Sequence, residues 1–255
     1  MSMGKMSIIL VLDNLGWNNM HFQGKKLRNE MKYYLHTFEY ITLRAKVSTL
    51  LSLDRNSINS DGYNIRSLYF DGLHDHSLYD KNDGIFNREK YRIRIYNESD
   101  KKINLERKSK YGSFICKESA PLSREEYDAV LVGNYEVLSQ LSHPLIKDFY
   151  MALMYRRFRP TAITDYIREA YVYELGNVRI TFDKKLAAGV NTPDILNPKL
   201  ILEEALLPQQ TVLEVKFDEF LPDNIRQLLQ PERFVQSAIS KYVICKEINV
   251  QHFKE

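Results

Sequence analysis

The sequence predicts an α+β fold in which many antiparallel strands form a barrel or strongly curved sheet. Two observations predict it. Eight segments spread along the chain alternate with a period of two, the signature of strands. Helical patterns are inserted between groups of these strands, which suits an α+β antiparallel sheet.

Taken in order, alternation runs over residues 26–36, then a Thr at position 37 opens a helical pattern over 37–53 as its N-cap. Strand patterns follow at 63–71, 89–97, 102–110 and 111–117. Ser123-Arg-Glu-Glu is a capping box that starts a helix running towards Val132. Pro144 sits at the first turn of a second helix over 144–157. Strands return at 161–173, 177–183 and 211–218, with a short helix at 222–229. No linker and no internal repeat divides the chain, so residues 26–255 read as one domain behind a flexible leader of residues 1–25.

Composition bounds the function. With 44% hydrophobic residues, 17 Tyr and 12 Phe, the 255-residue chain can bury a large core and is not disordered. A net charge of +3 is too small to mark a nucleic-acid binder, so the distribution of cations matters more than their number. Two cysteines, Cys116 and Cys245, cannot build a disulfide framework or a four-ligand zinc site and suit a reducing, cytoplasmic setting. No run of about 18 apolar residues occurs, so no membrane span is expected.

Splitting each strand into its two faces sorts the charges. Lys90, Arg92, Arg94 and Tyr96 share one face, against Tyr91, Ile93 and Ile95. Lys102, Asn104, Glu106, Lys108 and Lys110 share another. Arg28, Glu30 and Lys32 fall together, as do Thr164, Tyr166 and Arg168, then Arg179, Thr181 and Asp183, then Glu214, Lys216 and Asp218. Such faces are either the solvated outside of an ordinary sheet or the lining of a lumen whose apolar side is turned out beneath helices. In the second case, mixed cations and carboxylates suit a phosphate chain with a divalent metal: Arg grips phosphate oxygens bidentately, Lys acts as a point charge, and a carboxylate holds Mg²⁺ or Mn²⁺. Periodicity alone leaves the two open.

The order of short motifs resembles the VTC domain, the polyphosphate polymerase domain named after the vacuolar transporter chaperone complex of yeasts, within the triphosphate tunnel metalloenzymes and their CYTH-like relatives. The matching pieces are Arg28-Asn-Glu-Met-Lys-Tyr33, Ser67-Leu-Tyr-Phe-Asp71, Lys90-Tyr-Arg-Ile-Arg-Ile-Tyr96 and Leu105-Glu-Arg-Lys108. They continue as Tyr166-Ile-Arg-Glu-Ala-Tyr171, Val178-Arg-Ile-Thr-Phe-Asp183, Leu213-Glu-Val-Lys-Phe217 and Ser240-Lys-Tyr242, from about Leu27 to Tyr242. The resemblance implies an antiparallel β-barrel tunnel with a charged lumen, open or nearly open at both ends, and helices packed outside. It implies that Lys32, Arg92, Arg94, Lys108, Arg168 and Arg179 contact phosphates. Glu214 would hold the metal, supported by Glu30 or Glu106, and Ser240 and Lys241 would lie over the tunnel mouth. The expected activity is transfer of the γ-phosphoryl of ATP to a polyphosphate chain with Mn²⁺ or Mg²⁺. A triphosphatase and a non-catalytic polyphosphate-binding module are the alternatives, and a membrane-protein partner stays undefined.

The chain departs from the eukaryotic pattern at Ala238, three positions before Lys241, where a basic residue is usual. One terminal-phosphate contact is therefore absent, or is supplied by Arg233 or Lys117. The sequence given carries neither the regulatory domain nor the membrane segments of the eukaryotic complex, so its translocation role is not expected. Outside these motifs, His74 and His76 read as a surface loop and Tyr155-Arg-Arg-Phe-Arg159 as the solvated end of a helix, where cations favour the macrodipole.

Overall fold

A computed structural model describes residues 9–12, 18–22, 25–57, 61–72, 87–111 and 114–252. His74 and His76 lie outside them. Within the N-terminal part, β1 (Ile9–Leu12), β2 (Asn18–Phe22) and β3 (Lys25–Lys26) pair in a three-stranded antiparallel sheet. The main sheet contains β4 (Asn29–His36), β5 (Ser52–Leu53), β6 (Tyr63–Asp71), β7 (Asn87–Tyr96), β8 (Ser99–Tyr111), β9 (Phe114–Leu122), β10 (Arg159–Tyr173), β11 (Val178–Gly189), β12 (Leu202–Glu204) and β13 (Gln210–Phe217). Among the described residues the α-helices are α1 (Thr37–Leu50), α2 (Arg124–Leu131), α3 (Glu136–Ser139), α4 (Pro144–Met154), α5 (Asp223–Leu229) and α6 (Lys241–His252).

The strands run in the order β4-β13-β11-β10-β6-β7-β8-β9, all antiparallel, with β12 added to β11 and β5 to β10. The two ends of this path meet. Arg28, just before β4, bridges Ile115 of β9, and the pair exchange both backbone hydrogen bonds at 3.1 Å. A curled sheet whose edges touch has little unpaired edge to protect.

The apolar faces are turned outward, under helices. Tyr91, Ile93, Ile95, Ile103 and Leu105 pack with Tyr127 of α2 and with Leu145, Phe149 and Leu153 of α4. Phe149 stacks on Tyr91 at 5.4 Å and meets Phe70 edge-on at 4.9 Å. On the other side, Tyr33, Leu35, Ile180, Phe182, Leu213 and Val215 pack with Leu43 and Val47 of α1 and Ile225 and Leu229 of α5. The solvated-outside reading of the charged faces is thereby excluded.

Local chemistry sets the helix ends, with one difference from expectation. The cap of α1 is His36 rather than Thr37: the His36 N–H donates to the Glu39 carboxylate at 2.7 Å, while Thr37 Oγ1 donates to the Gln209 carbonyl at 3.2 Å. The Ser123 capping box forms in both directions, Ser123 N–H to Glu126 Oε2 at 2.8 Å and Glu126 N–H to Ser123 Oγ at 3.1 Å. Helix α4 stops at Met154, and of the basic run after it Arg156 and Arg157 are exposed while Phe158 is buried.

The sequence pattern predicts no helix at α6. This helix packs against the inner side of the sheet, where Tyr242 meets Tyr69 at 5.2 Å and Cys245 lies buried against Leu186 and Ala188. The concave face is therefore ionic along most of its length and apolar where α6 covers it. No helix among the described residues is long and apolar enough to cross a membrane.

Candidate active site

The sheet encloses a cavity of about 960 Å³. Among the described residues, thirteen lysines and arginines line it against two carboxylates, Glu30 and Glu214. The alternation of β4, β13, β11, β10, β7 and β8 puts Lys32, Arg92, Arg94, Lys108, Arg168, Arg179 and Lys216 into this one space, with Ser240 and Lys241 at the start of α6. Lys117 also lines it, Arg233 does not, and Ala238 forms part of the wall. Gly62 holds the strand entry tight against Arg168: at φ +97° it adopts the left-handed region, and a Cβ there would lie 2.2 Å from the Arg168 carbonyl oxygen.

The arginines are held by fixed partners. Arg92 pairs with Glu106 at 2.6 Å and donates to the Tyr69 hydroxyl at 2.9 Å. Arg94 donates to Ser67 Oγ at 3.0 Å and to the Tyr166 hydroxyl at 3.3 Å. Arg168 forms a bidentate pair with Asp183 at 2.6 and 2.7 Å, leaving Nη2 also 3.2 Å from Glu214. Lys241 reaches the same Asp183 at 2.6 Å. Arg179 is tied to Asp54 at 2.5 Å and to the Tyr63 hydroxyl at 3.0 Å. Guanidinium planes fixed this way need little ordering when an anion arrives.

Glu30 and Glu214 lie diagonally on neighbouring strands, because Glu30 is opposite Lys216 and Lys32 is opposite Glu214. Burial and the neighbouring Glu214 charge push the Glu30 carboxyl up, but Lys108, Lys32 and Lys216 outweigh them and hold the group below its usual range. Glu214 behaves likewise: burial raises it, and Lys216, Lys32, Lys241 and Arg168 pull it well down. Burial dominates at Lys216, whose ammonium is brought down to about 8. On Tyr69, Arg92 and Arg94 overcome burial and lower the hydroxyl.

These observations test the three carboxylates against a divalent cation. Glu30 and Glu214 fit: both are kept ionised side by side, and Mg²⁺ is commonly held by one or two carboxylates with phosphate oxygens completing its shell. Glu106 lies instead beside Arg92, Arg94 and Lys117, with one oxygen on Arg92 at 2.6 Å and the other on Lys117 at 2.8 Å. Among the described residues, no three His, Cys, Asp or Glu side chains form a group that could hold a metal.

Sequence reasoning missed the anchors more than the cations. The sequence pattern gives Asp183 a face but no role, and it does not mark Asp54 or the Tyr63, Tyr69 and Tyr166 hydroxyls as partners of the arginines. Parity marks Asp183 as inward-facing. Nothing local marks Asp54, which follows β5 and reaches Arg179 only through the fold.

Fold and cavity together define a cation-lined β-tunnel protein with a paired-carboxylate centre. The sequence model of the VTC domain matches residues 27–249, and the chain belongs to that family. Among solved structures it is similar to the PH1819 protein of Pyrococcus horikoshii (15% identity, 89% of this chain and 99% of that one, TM-score 0.42). It is also similar to a Bacillus halodurans protein provisionally described as an adenylate cyclase (14%, 84% and 95%, TM-score 0.46). A third is the triphosphatase of the Mimivirus capping enzyme (14%, 82% and 91%, TM-score 0.40). No curated protein matches the sequence closely enough to report.

Proposed function

We propose that this chain is a divalent-cation-dependent phosphotransferase of the polyphosphate polymerase type, moving the γ-phosphoryl of ATP to a phosphate acceptor inside the tunnel. The supporting observation is the enclosed excess of fixed cations around Glu30 and Glu214, in a chain of the VTC family. Phosphoryl transfer asks a protein mainly for positioning and charge neutralisation, which such a lining supplies.

In this reading Arg92, Arg94, Lys32 and Lys108 grip the donor phosphates, and Arg168, Arg179 and Lys241 hold the acceptor. Glu214, with Glu30, holds Mn²⁺ or Mg²⁺, which supplies charge neutralisation at the phosphate oxygens when bound. Lys117 takes the terminal-phosphate contact left open by Ala238. A phosphate acceptor is already an oxyanion, so no general base is needed.

A triphosphatase is the second reading. Ala238 in the cavity wall favours it, because one cation fewer for the acceptor weakens phosphate against water. Incubating purified protein with ATP and Mn²⁺, then assaying long-chain polyphosphate and free phosphate separately, decides between them. Polyphosphate supports the polymerase reading, and free phosphate alone supports hydrolysis. Neither product, with firm polyphosphate binding, would reduce the chain to a binding module.

A further inference from the structure

The carboxylate pair is already spanned by ammonium groups. Lys216 Nζ lies 3.8 Å from Glu30 and 3.4 Å from Glu214. Lys32 Nζ spans the same two residues at 3.0 and 3.7 Å. Lys108 donates to both oxygens of Glu30 at 2.8 and 3.0 Å, and Arg168 donates to Glu214 at 3.2 Å. Every carboxylate oxygen of the pair faces a cation.

We infer that Lys216, with Lys32, takes the position of a built-in counter-cation between Glu30 and Glu214, so that a divalent cation enters only together with a phosphate chain. This rests on the phosphotransferase reading of the same site.

The charge balance carries the argument. Arg168 is already paired with Asp183, and Lys32, Lys108 and Lys216 alone outnumber the two carboxylates they surround, so the centre is positive before any metal arrives. A bare divalent ion meets repulsion at close range, in a space screened less than water screens it. A triphosphate reverses the sign. It brings several negative charges, offers the lysines other partners, and lets the carboxylates turn to the metal. Metal and phosphate are then coupled, and the coupling is reciprocal: each tightens the other by the same factor.

Equilibrium dialysis of the full chain tests this, with radiolabelled Mn²⁺ and tripolyphosphate presented separately and together. Tripolyphosphate alone is expected to be retained, and Mn²⁺ alone to be retained at least about tenfold more weakly than Mn²⁺ with tripolyphosphate. K216M should retain Mn²⁺ alone at least about tenfold more firmly than the wild type. K32M serves the same purpose should K216M fail to fold, with circular dichroism as the check. Wild-type protein that retains Mn²⁺ equally with and without tripolyphosphate overturns the inference while leaving the phosphotransferase reading standing. Failure of every folded variant to gain Mn²⁺ affinity overturns it as well. If tripolyphosphate is not retained under any condition, the functional reading falls and takes the inference with it.

Discussion

Asp183 offers the sharpest test of how the lumen is held together. It is fully buried and neutralises two cations at once, Arg168 through a bidentate contact and Lys241 at 2.6 Å. Substituting Asn keeps the shape and removes the charge. Burial alone would raise the Asp183 carboxyl, yet Arg168 and Lys241 bring it down to about 2 from its ordinary 3.8. That difference corresponds to about 2.5 kcal/mol. Removing one partner of a buried pair costs about 3–5 kcal/mol, and the lower end applies because Glu214 still faces Arg168 at 3.2 Å. Asp183→Asn should therefore destabilise the protein by about 3 kcal/mol and lower Tm by about 6–12 °C. The sign with pH follows from the lowered carboxyl. Its contribution is complete above the ordinary value of 3.8 and is lost as pH falls through about 2. The gap between variant and wild type should accordingly be full at neutral pH and narrow in acid. Tripolyphosphate should restore much of the variant's Tm by supplying the missing negative charge. Thermal unfolding followed by circular dichroism, with and without tripolyphosphate, measures all three. A Tm drop below about 2 °C at neutral pH would show that the pair is not what holds Arg168 and Lys241.

Arg92→Ala should lower turnover by about 10²-fold or more while costing about 3 kcal/mol of stability, the lower end for a broken buried pair, since Glu106 keeps Lys117 at 2.8 Å and Arg94 at 3.6 Å; an unchanged rate in steady-state kinetics would remove Arg92 from the site. Glu214→Gln should lower turnover by about 10²-fold and weaken its metal dependence while tripolyphosphate binding without metal persists; fast, metal-dependent turnover would show Glu214 misassigned. Phe149→Ala should cost about 3–5 kcal/mol, because this ring fills the outer core against Tyr91 and Phe70; urea denaturation measures it, and a cost near zero would contradict a core outside the sheet.

Strand parity was legible in the sequence because a strand repeats every two residues without drift: once Arg92 and Arg94 share a face, Ile93 must lie on the other. What parity could not supply was the direction in which each face points. That depends on which side the helices cover, and the helices that carry Tyr127 and Phe149 follow β7 and β8 in the chain rather than lying within them. Helix α6 was hidden for a related reason. Its buried side holds Tyr242, Val243 and Cys245 while Lys241 and Lys246 are also buried, so both charged and apolar residues point inward and no clean amphipathic stripe appears. The lysines are accommodated by Asp183 and by the Tyr242 hydroxyl, partners that only the folded lumen brings within reach.

A lumen arranged to bind an anion should be strained without one, and Lys216 makes that measurable. Burial is the largest influence on its ammonium, with Arg168 and Lys108 adding to it, and together they outweigh Glu214 and Glu30 to bring the group from 10.5 down to about 8. Keeping the charge at neutral pH therefore costs the folded protein about 3 kcal/mol at most, and about 1–2 kcal/mol once screening at a side chain with 25% exposure is allowed for. Lys216→Met removes that penalty and keeps the aliphatic stem, so it should raise Tm by about 2–8 °C while weakening tripolyphosphate binding. The pH dependence has a definite sign. Between about 8 and 10.5 the unfolded chain keeps this proton while the folded chain sheds it, so wild-type stability gains on the variant as pH rises through that window. A variant less stable than the wild type at pH 7, with the gap unchanged at pH 10, would mean that Lys216 serves the fold rather than the ligand, and that the crowding of cations in the tunnel carries no cost for function to offset.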